Sequence, residues 1–198
     1  MKKIIFILLI PVITYGQNFE GAWGLKWGVS LDSAINIIKQ EKGISPEIKK
    51  TDTTTTLIYM KAKWGIEASL FTRLEFYKNK LYTIYAFFVP DEGYKFMTTY
   101  KYLKSSISDK YSLPQKDMEM YKEPYTKEDP DNKKIYAILN GFGIAVCIWN
   151  FSITPNSEET GNIILMIDKN AGVILQYRDG DISKMVMEKN NQKNRKDF

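Results

Sequence analysis

Histidine is absent from this 198-residue sequence, and cysteine occurs only once, as Cys147. The lack of histidine removes the commonest general base and every catalytic arrangement that pairs histidine with serine or cysteine. It also removes the usual zinc-binding sets, because one thiolate cannot replace the missing imidazoles. A single cysteine excludes an intramolecular disulfide. We therefore assign no catalytic residue, no cofactor-binding residue, no metal ligand and no cofactor from the sequence.

The surroundings of Cys147 indicate packing rather than chemistry. Its neighbours Ala145, Val146, Ile148 and Trp149 are all apolar. Burial among such side chains raises the pKa of a thiol and makes it a poor nucleophile. We expect Cys147 and Trp149 to be core residues of one strand.

Acidic residues keep carboxylate chemistry open. Paired carboxylates are the machinery of many hydrolases, and oxygen ligands can hold calcium. Residues 128–132 and 168–172 both begin like calcium-binding loops. Neither segment continues to the bidentate glutamate that completes an EF-hand, whereas Pro130 and Gly172 are typical of turns. Turns are therefore the favoured interpretation of both segments.

The first sixteen residues match a secretory signal peptide. Lys2 and Lys3 precede an apolar run, residues 4–13, that is shorter than the roughly 20 residues of a membrane-spanning helix. We expect cleavage between Gly16 and Gln17, which places the mature chain in the periplasm or outside the cell. Gln17 stands where a lipoprotein would carry its acylated cysteine. The sequence thus predicts neither a lipid anchor nor a membrane span after cleavage.

The net charge of +5 is concentrated at the two ends of the chain. Removal of Lys2 and Lys3 lowers the 28 basic residues to 26, against 23 acidic ones. Residues 184–198 hold five basic and two acidic residues, which leaves residues 17–183 neutral. We expect 184–198 to be a flexible charged tail. A nucleic-acid-binding protein concentrates basic charge on a folded face, so we predict no nucleic-acid partner.

Apolar periodicity predicts two helices. Ser30 is a good N-cap, the apolar residues after it recur at helical spacing, and Gly43 with Pro46 ends this helix. A second helix is predicted within residues 93–111, where apolar residues recur every three or four positions. Pro114 marks that this helix has ended.

Alternation of apolar and polar residues predicts strands between and after the helices. The first group comprises residues 57–63 and a hairpin formed by residues 69–77 and 81–89. The second group comprises residues 134–139, 144–151, 163–168 and 173–178. The polar segment 115–134 is predicted to be a loop long enough to serve as a functional flap.

Short connections between the predicted strands favour hairpins and an antiparallel sheet. We predict a two-layer α+β fold in which this sheet packs against two helices. Residues 17–183 form a single domain in this prediction. The similar order of elements in residues 17–90 and 91–183 leaves open that two helix-plus-hairpin halves are fused.

The segment 19–30, in which Trp27, Gly28 and Ser30 precede the first helix, resembles the W-G-x-S opening of small exported Bacteroidota proteins of unknown function. Its element order is distantly similar to the module of the SmpA/BamE envelope proteins and the β-lactamase inhibitor protein. The resemblance covers the first helix and the following hairpin and carries no catalytic residue. The lipidated cysteine of the SmpA/BamE pattern is missing. The resemblance implies a binding or scaffolding role at the envelope.

Aromatic residues are the remaining candidates for a functional surface. The chain has 4 tryptophans and 13 tyrosines, and flat amphipathic rings serve both cores and binding sites. Trp23 and Trp27 are flanked by glycines and are our candidate contact residues. They would touch an envelope protein or a glycan.

Three functions stay open on the sequence alone. The first, favoured by export and by the lack of catalytic motifs, is a non-enzymatic envelope protein that binds a protein or a ligand. The second is an immunity or inhibitor protein that blocks a toxin or an enzyme with residues 115–134 or with a hairpin face. The third is a carboxylate-dependent hydrolase of cell-wall or polysaccharide substrates, which needs two acids roughly 5–10 Å apart in a cleft.

Overall fold

The computed structural model describes residues 19–51, 54–152, 159–170 and 172–196. The predicted signal peptide and its cleavage site lie outside these residues. The helices of the described part are α1 (Leu31–Lys42), α2 (Lys95–Tyr111), α3 (Asp131–Leu139) and α4 (Gly180–Lys196). The strands are β1 (Gly21–Ala22), β2 (Leu25–Lys26), β3 (Glu47–Lys50), β4 (Thr54–Met60), β5 (Lys63–Trp64), β6 (Glu67–Ala68), β7 (Phe71–Tyr77), β8 (Lys80–Phe88), β9 (Lys116–Tyr121), β10 (Gly143–Ser152), β11 (Glu159–Asp168) and β12 (Gly172–Asp179).

Eight strands form one antiparallel sheet in the order β3-β4-β7-β8-β12-β11-β10-β9. Strands β3, β4, β7 and β8 form one meander after α1, and β9 to β12 form a second meander after α2. The two meanders join where β8 pairs with β12. The topology is therefore symmetric about this strand pair. The predicted α+β fold with an antiparallel sheet is confirmed.

Side chains alternate between the two faces of the sheet along every strand. Ala86, Leu175, Leu165 and Cys147 are register partners on one face, and each is at most 1% exposed. Buried residues of α1, α2 and α3 join the same core, so these three helices cover this face. We call it the helix face.

The predicted limits of the first helix are confirmed. The Ser30 hydroxyl accepts a hydrogen bond from the Ser33 backbone N–H at 3.3 Å and so satisfies one free donor at the start of α1. Gly43 ends the helix in the left-handed conformation with φ of 66°, which glycine adopts without steric cost.

Replacement of this cap tests how much the helix start contributes. We expect Ser30→Ala to lower the free energy of unfolding by about 1 kcal/mol, because an N–H group loses its acceptor. Ser105→Ala, at an exposed position within α2, should change stability by less than about 0.5 kcal/mol. Urea unfolding of both variants measures the difference. Equal stabilities for the two variants would show that the cap contributes nothing.

The segment 115–134 is more regular than predicted. It contains strand β9 and the start of α3, so the irregular connection shrinks to residues 122–130. The strand predicted for residues 134–139 is wrong, because these residues are helical. Pro130 stands at the N-cap with an extended backbone, and Asp131 lies in the first turn, where its charge favours the helix start.

The segment assigned to a charged tail is helical as far as residue 196, within α4. Asp179 starts this helix by accepting a hydrogen bond from the Ile182 backbone N–H at 2.8 Å. Ser183 is buried, which shows that the first turn packs against the sheet. The described chain thus has two helices more than predicted. None of the described helices is long and apolar enough to cross a membrane.

Candidate functional site

The face of the sheet opposite the helix face carries a continuous row of apolar side chains. The row consists of seven register partners from seven neighbouring strands: Met60, Phe71, Phe87, Ile174, Met166, Val146 and Met118. With about 4.8 Å between strands, it spans roughly 29 Å. Met60 is 57% exposed and Met118 38%, and the five residues between them are half-buried. We call this set the apolar row.

The next row on the same face mixes polar and apolar side chains. Its register partners are Ile58, Arg73, Tyr85, Gln176, Ile164, Ile148 and Lys116. The Arg73 guanidinium carbon lies 4.4 Å from the Tyr85 ring centroid, and Arg73 Nε lies 3.1 Å from Glu75 Oε1. Gln176 Nε2 donates to the Tyr85 hydroxyl at 3.0 Å. We call this set the mixed row, and the two rows together the open face.

Helix α4 covers the end of this face beyond the mixed row. Thr83 and Asn162, which belong to the third row, are buried there together with Ser183 of the helix. Lys189 of α4 reaches the Tyr77 ring at 5.6 Å from the centroid. The helix therefore lies over polar side chains. Within the described chain, the apolar row has no helix packed over it.

This placement of apolar side chains on the uncovered face is the reverse of the usual one in antiparallel sheets. The solvent side of an antiparallel sheet normally alternates to polar residues, whereas the open face presents its most apolar row where no helix covers it. Ile144 and Met120, 46% and 58% exposed, extend the apolar surface at the β9–β10 edge. Large contiguous apolar surface is typical of interaction sites in folded proteins, so the open face is a candidate site.

A separate cleft of about 300 Å³ opens on the helix side of the sheet. Helix α2 forms one wall, the β1–β2 and β5–β6 hairpins form the other, and β12 forms the floor. The Trp64 ring stacks against Trp23 at 5.6 Å and against Tyr177 at 5.7 Å between centroids. We call this site the aromatic cleft. Its aromatic lining residues are Trp23, Trp64, Tyr102, Tyr111 and Tyr177.

The aromatic cleft also carries three lysines, Lys42, Lys63 and Lys110, and none of its lining residues is acidic. Lys42 Nζ lies 5.1 Å from the centre of the Trp23 ring system, and Lys110 Nζ lies 4.8 Å from the Tyr111 ring. Cations over aromatic faces are attracted by the negative π-face. The site therefore combines flat apolar surface with positive charge.

Trp23 occupies an unusual backbone conformation. It has φ of 56° and is followed by Gly24 with φ of 82°, the pair of positive angles that a two-residue hairpin turn requires. A bulky residue in this region costs about 1–2 kcal/mol. The Trp23 Nε1–H group donates to the Lys63 carbonyl at 3.2 Å, which fixes the indole between the two hairpins. Strained residues of this kind concentrate at functional sites.

The two tryptophans that the sequence singled out have different surroundings. Trp23 lines the aromatic cleft. Trp27 lies outside it, partly buried against Phe19, and donates from Nε1 to the Phe19 carbonyl at 3.1 Å. Trp64 and Tyr177 were not predicted from the sequence, because they come from β5 and β12 and only the fold brings them together.

The prediction that Cys147 is buried is confirmed, with an exposed fraction of 0%. Its Sγ atom lies 3.1 Å from the Tyr100 hydroxyl and donates to Asp117 Oδ1 at 3.3 Å. Burial raises the pKa of the thiol to about 11. Cys147 is therefore protonated at neutral pH, and its place in the core is structural.

Two carboxylates that share one face of β9 are neutralised by lysines. Lys104 Nζ lies 2.6 Å from Asp117 Oδ2, and Lys134 Nζ lies 3.0 Å from Glu119 Oε1. Burial raises the pKa of Asp117, but hydrogen bonds from Lys104 and Cys147 outweigh it and lower that pKa overall. A glycosidase needs one carboxyl group with a raised pKa as its general acid. The pKa of Asp117 is lowered instead, so this carboxyl group does not meet that requirement.

Acidic side chains also occur in a second depression, which lies outside the aromatic cleft. This depression of about 700 Å³ is lined by Glu67 and Asp91 together with Lys61 and Lys95, so it mixes both signs of charge. Glu67 accepts a hydrogen bond from the Thr99 hydroxyl at 3.3 Å.

Among the described residues, no group of three or more cysteine, aspartate or glutamate side chains is placed to hold a metal ion.

No protein-family model, curated protein or solved structure matches the chain. The open face and the aromatic cleft are therefore the features of the described chain that point to a function.

Proposed function

We propose that this protein is an exported, non-enzymatic envelope protein that docks a partner protein on the open face. The observation that carries the proposal is the apolar row, which crosses seven strands without a covering helix. The signal-peptide pattern of residues 1–16 supports export.

The shape of the open face favours a protein over a small molecule. Small ligands bind in concave sites that enclose most of their surface. The open face instead extends over roughly 29 Å, a width that suits a protein interface. Removal of this apolar surface from water would supply the main driving force for association.

The side chains of the open face are those that dominate protein interfaces. Phe71 and Phe87 stack with their ring centroids 4.4 Å apart, and Arg73 lies beside them with its guanidinium carbon 5.8 Å from the Phe87 ring centroid. Aromatic and arginine side chains carry most of the binding energy at interface hot spots. Met118 and Met166 provide flexible side chains that adapt to the shape of a partner.

An immunity or inhibitor protein is the special case in which the partner is a toxin or an enzyme. The open face would then bind and block this toxin or enzyme. The hydrolase alternative is less favoured, since Asp117 and Glu119 are both held by lysines.

Capture from the envelope fraction tests the proposal. The mature chain, tagged after Phe198, should retain one stoichiometric protein that is identified by mass spectrometry. Met166→Lys and Ile164→Lys each place a charge near the centre of the open face, on β11, and we expect each to reduce capture at least about tenfold, or about 1.4 kcal/mol. Leu113→Lys is the matched control, because Leu113 is 77% exposed outside the open face.

Circular dichroism and urea unfolding of the three lysine variants separate lost binding from lost folding. Retention of the partner by all three variants would place its site elsewhere. If a folded, exported wild-type chain retains no protein at all, the docking proposal fails.

A further inference from the structure

We propose a second binding site on this protein: the aromatic cleft binds an acidic sugar, meaning a pyranose ring that carries a carboxylate or a phosphate. This site faces away from the open face and does not depend on the proposed docking of a protein partner. The charge, the shape and the rigidity of the cleft support this proposal.

The charge of the cleft selects an anion. Lys42, Lys63 and Lys110 line it without any acidic lining residue. Within the described residues, none of these lysines forms an ion pair with a carboxylate. The ammonium groups of Lys42 and Lys110 lie over the Trp23 and Tyr111 rings of the cleft, and an anion bound there would accept charge-assisted hydrogen bonds from the lysines. The depression lined by Glu67 and Asp91 lacks this one-sided charge.

The aromatic surface selects a flat ring. Trp23, Trp64 and Tyr177 stack on one another in the wall of the cleft, and Trp23 and Tyr102 stay partly exposed there. Flat aromatic faces offer apolar area with little loss of conformational entropy. One face of a pyranose ring presents C–H groups that pack on such a surface, while its hydroxyls point sideways. Ser106 also lines the cleft, and its hydroxyl would serve as a hydrogen-bond partner.

The volume of the cleft limits the ligand to a small unit. At about 300 Å³ it lies at the lower end of ligand sites, which run from about 300 to 1,000 Å³. It accommodates one or two ring-sized units. A longer acidic glycan would extend past the rim, towards the exposed side chains of Lys42 and Lys110.

The walls of the cleft are fixed before a ligand arrives. The Ile66 backbone N–H donates to the Tyr102 hydroxyl at 3.3 Å, which ties the β5–β6 hairpin to α2. Gly65 allows this approach, since a Cβ atom there would lie 2.5 Å from the Tyr102 hydroxyl oxygen. The turn that holds Trp23 at positive φ fixes the opposite wall. A preformed site loses less entropy on binding.

Titration of the mature chain with matched ligands tests the assignment. We would follow tryptophan fluorescence and calorimetry with trigalacturonate and its methyl ester, and with glucose 6-phosphate and glucose. Saturable binding of an acid with at least about tenfold preference over its neutral counterpart supports the proposal. Binding of trigalacturonate alone identifies a carboxylate ligand, and binding of glucose 6-phosphate alone identifies a phosphate ligand. Equal binding of acid and neutral forms, or no binding of either acid, overturns the proposal.

Two sets of variants locate the site. The triple variant Lys42→Gln, Lys63→Gln, Lys110→Gln should weaken binding of the acid at least about tenfold. The control removes the same charge from exposed lysines outside the cleft, through Lys50→Gln, Lys122→Gln and Lys169→Gln. Similar weakening in both triple variants would mean a general charge effect, and the proposal would then be wrong.

Trp23→Asn separates binding from folding. Asparagine suits the positive φ of this turn better than tryptophan does, so the variant should remain folded while the ring platform is lost. We expect sugar binding to fall at least about tenfold. Partner capture through the open face should stay unchanged, which keeps the two proposals distinguishable. Full sugar affinity in folded Trp23→Asn would contradict the ring-face assignment.

Discussion

Replacement of Trp149 by alanine is expected to lower the free energy of unfolding by about 3–5 kcal/mol. The side chain is fully buried on β10, and its Nε1–H group donates to the Ser112 carbonyl at 3.0 Å. The change would leave a large cavity in the core and an unpaired carbonyl group. This loss is a large fraction of the stability of a typical domain.

Graded variants show whether packing or the hydrogen bond dominates at this position. Trp149→Phe retains an aromatic ring but loses the N–H donor, so it should cost clearly less than Trp149→Ala. Tyr136→Ala removes an aromatic side chain that is 57% exposed on α3, and should cost less than about 1 kcal/mol. Urea unfolding curves rank the three variants. Comparable losses for Trp149→Ala and Tyr136→Ala would refute the buried role of Trp149.

Alkaline pH is expected to destabilise the protein strongly, whereas no histidine titrates as the pH falls below neutrality. Burial raises the pKa of Cys147 from 9.0 to about 11 and the pKa of Tyr59 from 10.0 to about 12. Burial also raises the pKa of Tyr100 and Tyr177. The folded chain therefore holds these protons more tightly than the unfolded chain.

The sign of the effect follows from proton binding. Below pH 9 the thiol and phenol groups are protonated in both states, and their contribution to stability is fully present. As the pH rises above about 9, the unfolded chain releases its protons first, so the free energy of unfolding falls. A group whose pKa is about two units higher in the folded chain lowers the free energy of unfolding by about 2–3 kcal/mol once the pH exceeds its folded pKa.

Urea midpoints between pH 8 and 11, with tyrosinate absorbance recorded in parallel, measure this loss. Tyr59→Phe is the matched variant, because the Tyr59 hydroxyl is buried and has no hydrogen-bond partner among the described residues. It should be at least as stable as wild type at pH 8 and should lose less stability at pH 11. An unchanged urea midpoint from pH 8 to 11 would exclude the proposed contribution of these buried groups.

Local signals sufficed to predict α1 and the β7–β8 hairpin. Ser30 and Gly43 mark the ends of α1 by backbone chemistry that needs no tertiary partner. Strand β9 was missed because Asp117 and Glu119 point towards the helix side of the sheet, where apolar residues are expected. Inward-pointing charges are a known feature of edge strands, and here lysines of α2 and α3 neutralise them.

The other two errors concern helices. Residues 134–139 are a short apolar run, and such runs suit a strand or a helix equally well until the flanking residues decide. Helix α4 was not predicted, because its sequence is rich in basic and amide side chains. It forms because Asp179 caps it and because Ser183 packs onto the sheet, and neither contact is visible as a sequence pattern. The aromatic cleft could not be predicted either, because it forms only where α1, α2, β5 and β12 meet in the fold.

The symmetric topology has a consequence for how the chain folds. Strands within each meander come from neighbouring parts of the sequence, but β8 and β12 are separated by α2, β9, α3, β10 and β11. Closing such a long loop is entropically costly, so the pairing of these two strands should limit the folding rate. Until it happens, β8 is an unpaired edge whose residues 81–88 are uncharged and largely aromatic or β-branched, a composition prone to aggregation. Newly synthesised chains would therefore depend most on protection by chaperones in the interval before β12 pairs with β8.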